Sequence, residues 1–256
     1  MDEQSLFQHD IEQTILNREK LRKNKNLIYW YENLYKDLFR NEKKITDKVV
    51  LEVGSGTSPL KLFIPTAISS DVMSLDYLDF VFDCHEIANF SEICDHSIDV
   101  MVLTNVLHHL RDPLLFLKGA AQKLKNGGSI YILEPYFSIL STPIYKFLHH
   151  EPVNFKIDAP KLDNIEGPLS TSNQAMPFMI FFKRSEWLNE LSYKYDLEKS
   201  TYGFYTGISY MLSGGISRRI PLDARLYKAF FFVDRFLAKV FPKIFSSFFK
   251  VRLISK

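Results

Sequence analysis

Apolar positions recur at two different periods along the chain. In residues 5–42 they recur every three or four residues with charges between them, which predicts a helix pair that breaks near Asn24 and Asn26. From residue 49 onward, short apolar runs alternate with helical segments. The runs that we interpret as strands one to five are residues 49–53, 67–72, 80–82, 98–103 and 129–133. Strands that alternate with helices predict a mainly parallel, doubly wound α/β sheet.

The alternation stops at residues 137–178, which contain five prolines and several aromatic residues. Because this segment leaves from the end of the fifth strand, we expect an irregular lid or binding loop over that edge of the sheet. Residues 185–193 then predict a helix, and residues 203–212 predict a strand. Residues 222–247 predict a Phe-rich helical stretch divided at Pro242, and the last nine residues predict a closing strand.

Composition and charge argue against several classes of protein. The net charge of +2 argues against a general nucleic-acid binder, which usually has a strongly basic surface. Cys84 and Cys94 lack metal-ligand spacing and indicate reduced thiols in a reducing compartment. The acidic, polar first residues do not resemble a secretory signal, and no uncharged apolar run reaches the roughly 18 residues of a membrane span. We therefore expect a cytoplasmic protein.

The most informative chemistry lies in VVLEVGSGTSPL, residues 49–60. A buried strand ends near Glu52, and a Gly-Ser-Gly turn follows at residues 54–56. A dinucleotide-binding loop requires a third glycine where this chain has Pro59. Glu52 would repel a diphosphate but attract an ammonium group, by about 1–4 kcal/mol at 4 Å. The loop therefore suits a zwitterionic or cationic ligand.

Residues 47–136 resemble the class I S-adenosylmethionine-dependent methyltransferases. LEVGSG resembles the first motif, SIDVMVLTNVLHHLRDP the fourth strand with its following loop, and LKNGGSIYILEP the fifth strand with its preceding turn. The resemblance is strongest to the type 11 branch. It implies a Rossmann-like, doubly wound sheet of seven strands, mainly parallel with an antiparallel last strand, here with N-terminal helices and a lid insertion. It also implies S-adenosylmethionine as cofactor and S-adenosylhomocysteine as product.

The resemblance also assigns cofactor-binding residues. Asp71 matches the acidic residue that typically bonds the ribose hydroxyls, and Asp76 is the alternative because the first helix is short. Asp83 and Cys84 match the segment that typically reads the adenine. Asn105 lies where the family's backbone usually contacts the methionine moiety. The expected cofactor-binding set is Glu52, Gly54, Ser55, Gly56, Asp71, Asp83, Cys84, Asn105 and His108.

We expect a single domain over residues 1–256. Its parts are an N-terminal helical segment (1–46), a cofactor-binding half (47–136), the lid insertion (137–178) and a C-terminal half with the Phe-rich insertion (179–256). The Phe-rich stretch predicts either two amphipathic helices packed on the sheet or a surface that meets a bilayer or a lipid-linked substrate. Its basic residues favour anionic lipid, so peripheral contact with the inner membrane face is a further expectation.

We expect the residues that bind and deprotonate the methyl acceptor to lie at the strand ends and in the lid. A hydroxyl acceptor would benefit from a general base, and the candidates are His109, His150 and Glu134. At most one of the adjacent His108 and His109 is expected to face the crevice. The expected substrate-binding residues are Tyr136, His149 and Glu151. We expect no metal site, because the His-His-Glu run of the lid has no third ligand at convincing spacing.

The sequence thus predicts a methyltransferase that uses S-adenosylmethionine. Its acceptor would be a small molecule, a glycan or a lipid-linked compound, with a hydroxyl as the expected methylated group. A polysaccharide precursor or a quinone-like lipid would fit. One alternative is a non-catalytic cofactor-binding partner in a membrane-associated biosynthetic complex. Another is a nicotinamide-dependent sugar oxidoreductase or epimerase, which Glu52 and Pro59 both oppose.

Overall fold

The computed structural model describes residues 3–163, 167–215 and 222–256, and all elements below belong to these ranges. The helices are α1 (Glu3–Lys23), α2 (Lys25–Leu38), α3 (Leu60–Phe63), α4 (Pro113–Lys123), α5 (Ser141–Phe147), α6 (Ala175–Phe182), α7 (Ser185–Asn189), α8 (Ser209–Leu212), α9 (Ala224–Val240) and α10 (Pro242–Phe245). The strands are β1 (Val50–Val53), β2 (Ile68–Asp71), β3 (Phe80–Val81), β4 (Ile98–Thr104), β5 (Leu124–Pro135), β6 (Thr201–Tyr205) and β7 (Phe248–Ile254). Short 3₁₀ turns occupy Ile45–Asp47, Cys84–Asn89 and Leu107–His109.

The strands of the described ranges form one seven-stranded sheet in the order β3-β2-β1-β4-β5-β7-β6. The first five strands pair in parallel, whereas β7 runs antiparallel to both β5 and β6. This confirms the predicted fold class, including the antiparallel closing strand. The strand order reverses between β1 and β4, and the crevice beyond the carboxyl ends of such strands is where sheets of this kind bind ligands.

The sheet is covered on both faces. One apolar cluster joins Phe116 and Leu117 of α4 with residues of α6 and the sheet, and a second joins Trp30 and Leu34 of α2 with Phe231 of α9. All four residues of β1 are buried between β2 and β4, as its unbroken apolar run requires. The ends of β1 and β4 are therefore held rigidly against each other.

The predicted break in the N-terminal helix pair is confirmed at Asn24. Its side chain accepts a hydrogen bond from the backbone N–H of Leu27 at 3.2 Å, which caps α2. The Asn24 amide also donates to the carbonyl of Ser213 at 2.8 Å, so the break is tied to the C-terminal half. Further along α2, Trp30 Nε1 donates to Thr206 Oγ1 at 3.1 Å.

The predicted strand at residues 203–212 is wrong beyond Tyr205. The chain turns at Thr206, whose φ of 34° lies in the left-handed region, and α8 follows. The buried carboxylate of Asp234 accepts hydrogen bonds from three successive backbone N–H groups, those of Gly207, Ile208 and Ser209. These bonds satisfy the start of α8 and leave no N–H groups there for a strand partner.

The lid insertion is more regular than predicted. It contains α5, which buries Tyr145, and the first residues of α6, whose side chains are buried from Ala175 to Phe181. Between these helices the described residues have no regular structure. Burial on all sides explains why α6 lacks the one-sided apolar pattern of a surface helix.

The Phe-rich stretch forms two helices, α9 and α10, and Pro242 begins the second one, as predicted. One face of α9 packs toward the sheet through Tyr227 and Phe231. Its opposite face is exposed, with Phe232 at 75% and Phe236 at 58% relative accessibility. Among the described residues, no helix is both long enough and apolar enough to cross a membrane.

Candidate functional site

The glycine turn after β1 is fitted tightly against the loop after β4. Gly54 has a φ of +72°, and a Cβ atom there would lie 2.5 Å from Cγ2 of Val106. The backbone N–H of Ser55 donates to the carbonyl of Ser70 at 2.9 Å, which fixes the turn to the end of β2. Glycine is therefore required at residue 54 by both conformation and space.

Glu52 is a buried carboxylate at the carboxyl end of β1. The hydroxyl of Ser58 donates to its Oε1 at 2.5 Å. Burial raises the pKa of Glu52 to about 7, although the Ser58 hydrogen bond opposes that rise. A cation placed beside this carboxylate would stabilise its ionised form, so the site suits a ligand that carries an ammonium group.

Asp71, at the end of β2, is built into the same turn. Its Oδ2 accepts from the N–H of Gly56 at 2.9 Å and its Oδ1 from the N–H of Met73 at 3.1 Å. Burial raises the pKa of Asp71, with these backbone donors opposing the rise. Asp76 instead lines a cavity of about 410 Å³ between α1 and the segment after β2. The choice between Asp71 and Asp76 as the ribose ligand stays a prediction.

The first helix covers the glycine turn, which the sequence reasoning missed. Arg18 donates to the carbonyls of Gly56 and Ser58 at 3.1 and 3.2 Å, and its guanidinium lies 3.6 Å from the centre of the Tyr77 ring. The Tyr77 hydroxyl donates to the same Gly56 carbonyl at 2.9 Å. No motif in the sequence links residues so far apart, so only the fold reveals this clamp.

A second contact joins α1 to the lid. The buried carboxylate of Asp10 accepts from the N–H of Leu169 at 2.9 Å and from the hydroxyl of Ser170 at 3.1 Å. A Cβ on Gly167 would lie 2.8 Å from Asp10 Oδ2. Helix α1 and the lid therefore meet near the glycine turn, although nothing in the sequence predicts that they touch.

Asp83 follows β3, and it caps the 3₁₀ turn that Cys84 begins. Its Oδ1 accepts from the N–H of His85 at 2.9 Å and from His85 Nδ1 at 2.6 Å. Burial would raise the pKa of Asp83, but these bonds hold it below its ordinary value. Burial raises the pKa of the Cys84 thiol, so Cys84 is a packing residue next to an ionised carboxylate.

Asn105 stands just past β4 in a left-handed conformation, with φ of +56°. Its N–H donates to the carbonyl of Leu133 at 2.8 Å, which ties it to the next strand. Its side-chain Oδ1 is buried without a hydrogen-bond partner. A buried, unsatisfied acceptor in a strained backbone at a strand end is typical of a ligand-binding position.

His108 connects the two strand ends of the crevice with the lid. Its Nδ1 lies 2.5 Å from Glu134 Oε2, and its Nε2 lies 3.1 Å from Glu151 Oε2. Burial alone would lower the pKa of His108, but the two carboxylates outweigh it and raise that pKa to about 10. The other oxygen of Glu134 accepts the N–H groups of Val106 and Leu107 at 2.9 and 2.7 Å.

His109 faces the same lid carboxylate from a different direction. Its Nδ1 lies 3.1 Å from the carbonyl of Thr171 and must donate to it, which leaves Nε2 as an acceptor. That Nε2 lies 3.8 Å from Glu151 Oε1. Burial and the adjacent His108 lower the pKa of His109 to about 4. Both adjacent histidines thus approach Glu151 of the lid.

Glu151 is further held by Gln174, which the sequence reasoning also missed. Gln174 Nε2 lies 2.9 Å from both Glu151 Oε2 and His149 Nδ1. Burial would raise the pKa of Glu151, but the His108 hydrogen bond and the neighbouring histidines hold it well below its ordinary value. The structure therefore brings Glu151 and His149 of the lid to the His108–Glu134 pair.

The two remaining candidates, His150 and Tyr136, lie at the edge of this cluster. The side chain of His150 is 81% exposed, and its Nε2 is 3.7 Å from Glu151 Oε1. Tyr136 is buried among aromatic rings, with Phe178 and Phe204 at 5.6 and 4.8 Å between ring centres. Tyr136 therefore lies at the edge of the site, where it packs against these two rings.

A family model described as a methyltransferase domain matches residues 24–161, more than half of the chain. The chain belongs to this methyltransferase family. The match confirms the predicted activity class, methyl transfer with S-adenosylmethionine as cofactor, whereas the narrower type 11 branch stays a prediction. The donor set fits this cofactor, because Glu52 offers a buried carboxylate to an ammonium group and Asn105 offers an unpaired acceptor.

Several solved structures are similar to this methyltransferase. An S-adenosylmethionine-dependent methyltransferase from Archaeoglobus fulgidus is 14% identical, with a TM-score of 0.46, over 87% of this chain and 94% of that chain. An S-adenosylmethionine-dependent methyltransferase from Mesorhizobium loti is 12% identical, with a TM-score of 0.45, over 86% and 96%. The CurJ carbon methyltransferase is 12% identical, with a TM-score of 0.45, over 88% and 53%. No curated protein sequence matches the chain.

Proposed function

We propose that this methyltransferase methylates a hydroxyl of an amphipathic acceptor, a glycan carried on a lipid or a comparable lipid-linked compound. The observation that supports it best is the continuity between the lid, whose Glu151 and His109 face each other at the strand ends, and an exposed apolar surface beside it. When bound, S-adenosylmethionine supplies an electrophilic methyl group on its sulfonium. The chain's own residues have to bind the cofactor, orient the acceptor beside that methyl group and take up the proton of the acceptor hydroxyl.

The cofactor-binding roles in this proposal are those that the family resemblance implies. In this proposal Glu52 pairs with the ammonium group of the methionine moiety, Asp71 bonds the ribose, and Asp83 reads the adenine. Asn105 would offer its unpaired oxygen to the methionine moiety. Because these groups are preorganised by strand ends, little ordering cost accompanies binding.

The acceptor hydroxyl has two polar partners in this proposal, His109 Nε2 and the Glu151 carboxylate. His109 stays neutral near pH 7, so its Nε2 can accept the hydroxyl proton in a hydrogen bond. Glu134 is better placed as a positioning residue, because backbone N–H groups and His108 already use both of its oxygens. The exposure of His150 places it at the rim of the lid.

The apolar surface consists of two groups of exposed side chains. They are Ile139, Leu140, Phe147 and Leu148 around α5, and Phe232, Phe236, Phe241 and Ile244 of α9 and α10. The N–H groups of Ile139 and Leu140 donate to the carbonyls of Lys243 and Ile244 at 3.0 and 3.1 Å, which joins the two groups. Exposed lysines, including Lys146, Lys239 and Lys243, accompany them. This combination favours contact with anionic lipid.

Methyl transfer is tested with S-adenosylmethionine labelled in its methyl group. Purified protein is incubated with separate lipid-linked glycan, free oligosaccharide and quinone fractions, and the labelled product is identified by mass spectrometry. We expect label in the lipid-linked glycan fraction, as an ether methyl group. Binding of S-adenosylhomocysteine without label in any fraction would contradict catalysis and favour a non-catalytic binding partner.

Membrane contact is tested by flotation with vesicles. We expect binding to vesicles that contain an anionic phospholipid and weaker binding to zwitterionic vesicles. The double variant Phe232→Ser/Phe236→Ser should lose most of this binding. Leu16→Ser is the matched control, because Leu16 is an exposed apolar residue of α1 outside the surface. Equal loss in both variants, or no vesicle binding by the wild type, would overturn the lipid-facing assignment.

A further inference from the structure

Two histidine nitrogens from one turn converge on a single carboxylate of the lid. His108 Nε2 lies 3.1 Å from Glu151 Oε2, and His109 Nε2 lies 3.8 Å from Glu151 Oε1. One ligand atom from each of the three residues can be chosen so that the three atoms lie within 4.8 Å of one another. In a tetrahedral site with bonds near 2.1 Å, ligand atoms stand about 3.4 Å apart. The observed separations bracket that value.

Each histidine is held from behind as a metal ligand usually is. Ligating histidines typically donate their second ring N–H to a carboxylate or a backbone carbonyl. Here His108 Nδ1 lies 2.5 Å from Glu134 Oε2, and His109 Nδ1 lies 3.1 Å from the carbonyl of Thr171. Both Nε2 atoms are thereby aimed at Glu151.

The Glu151 carboxylate is likewise held in place by a neighbouring side chain. Gln174 Nε2 donates to Glu151 Oε2 at 2.9 Å, and Gln174 itself is buried. Its Oε1 is buried without a hydrogen-bond partner. A further donor or electropositive group beside this amide oxygen would therefore be stabilising.

The charge of the cluster points the same way. Glu134 and Glu151 are two carboxylates in a largely buried setting, and both contact the ring of His108. A divalent cation that displaced the Nε2 proton of His108 would supply the positive charge that balances both carboxylates.

We propose that His108, His109 and Glu151 bind a divalent transition-metal ion, with Zn²⁺ as the best match. Two imidazoles and a carboxylate suit Zn²⁺ and Fe²⁺ better than Mg²⁺, which prefers oxygen ligands. Three protein ligands leave a position open for an oxygen atom of a small molecule. The ligands come from the loop after β4 and from the lid, so sequence spacing alone could not reveal the site. His109 Nε2 and the Glu151 carboxylate are also the polar partners proposed for the acceptor hydroxyl, so a bound ion would take the place of that direct contact.

The test measures metal content directly. Untagged protein is stripped with a chelator, incubated with Zn²⁺ or Co²⁺ alone, gel-filtered and analysed by mass spectrometry for metal. We expect about one ion per wild-type chain, and a visible Co²⁺ absorption spectrum typical of four- or five-coordinate nitrogen and oxygen ligation. His109→Gln and Glu151→Gln should lower the retained metal at least tenfold.

The exposed His9 provides the control for surface binding, and His9→Ala should retain the ion. Circular dichroism establishes whether each variant is folded. The wild-type Co²⁺ spectrum decides the matter even where a variant unfolds, and its absence would overturn the proposal. Metal retained equally by wild type and by folded Glu151→Gln would also overturn it. Binding of S-adenosylhomocysteine, measured in parallel, tests the methyltransferase assignment separately.

Discussion

Gly54 and Val106 are fitted so closely that a Cβ on Gly54 would lie 2.5 Å from Cγ2 of Val106. The contact joins the turn after β1 to the loop after β4. We expect Gly54→Ala to lower the free energy of unfolding by about 1–3 kcal/mol, because alanine meets both the clash and the positive φ. Urea unfolding measures this loss.

Gly56→Ala is the matched variant for that experiment. Its added Cβ would make only ordinary contacts, 3.4 Å from Asp71 Oδ2 and 3.5 Å from Thr14 Cγ2. We therefore expect nearly wild-type stability but at least tenfold weaker binding of S-adenosylhomocysteine, because the methyl group lies against Asp71, the proposed ribose ligand. Unchanged affinity in Gly56→Ala would show that this face of the turn does not contact the cofactor.

The residues that line the crevice at the strand ends were largely predictable from sequence, but the residues that pack over it were not. Glu52 and Asp71 lie at the ends of apolar runs, and their position follows from the rule that parallel strands end at one edge. Arg18 and Gln174 belong to no motif, and they reach the site only because α1 and α6 pack against it. Long-range packing of this kind depends on side-chain shape, which periodicity does not encode.

Long-range contacts also explain why the predicted strand at residues 203–212 was wrong beyond Tyr205. The segment after Tyr205 has strand-like composition, yet one buried carboxylate, Asp234, binds three successive N–H groups and directs it into a helix. A single distant residue thus outweighed local propensity. In the lid, spacing along the chain showed no third metal ligand; the proposed metal site takes His108 and His109 from the loop after β4, and the expectation of no metal stays a prediction.

Glu52 should make cofactor binding depend on pH. Its pKa is about 7 without ligand, and an ammonium ligand prefers its ionised form. If only the ionised form binds well, affinity for S-adenosylhomocysteine should rise about tenfold from pH 6 to pH 8. Calorimetric titration measures the change, and Glu52→Gln should bind weakly at every pH. A wild-type affinity that is flat over this range would contradict the role of Glu52.

The same shift affects stability with the opposite sign. The folded protein holds the Glu52 proton more tightly than the unfolded chain does, because the ordinary pKa of a glutamate side chain is 4.5. Between pH 4.5 and 7 the folded state therefore binds more protons, and the free energy of unfolding falls as pH rises, by about 3 kcal/mol in total. Subtracting the profile of Glu52→Gln from that of the ligand-free wild type isolates this contribution.

Asp10 should control how firmly the lid is held on α1. Asp10→Ala removes the acceptor of the Leu169 N–H and the Ser170 hydroxyl. We expect faster amide hydrogen exchange in residues 167–173 and faster dissociation of S-adenosylhomocysteine. Asp10→Asn, which keeps one acceptor oxygen, should show a smaller effect. Exchange that is unchanged in Asp10→Ala would mean that other contacts hold this segment.

Glu134 should determine the stability of the loop after β4. Its carboxylate accepts two backbone N–H groups and contacts His108, all in a buried setting. Glu134→Ala leaves these donors unpaired, so we expect a loss of about 3–5 kcal/mol in the free energy of unfolding. Glu134→Gln keeps one acceptor oxygen and should lose less.

The comparison between the two Glu134 variants also separates positioning from proton transfer. If Glu134 only positions the loop, methyl transfer by Glu134→Gln should keep the wild-type pH dependence. The rate of methyl transfer should fall only as far as the loop after β4 loses its order. If Glu134 were the general base, the rate of Glu134→Gln would fall by about 10²–10⁴-fold and the dependence on its ionisation would disappear. Because both carboxylate oxygens are already occupied in the structure, we expect the first result.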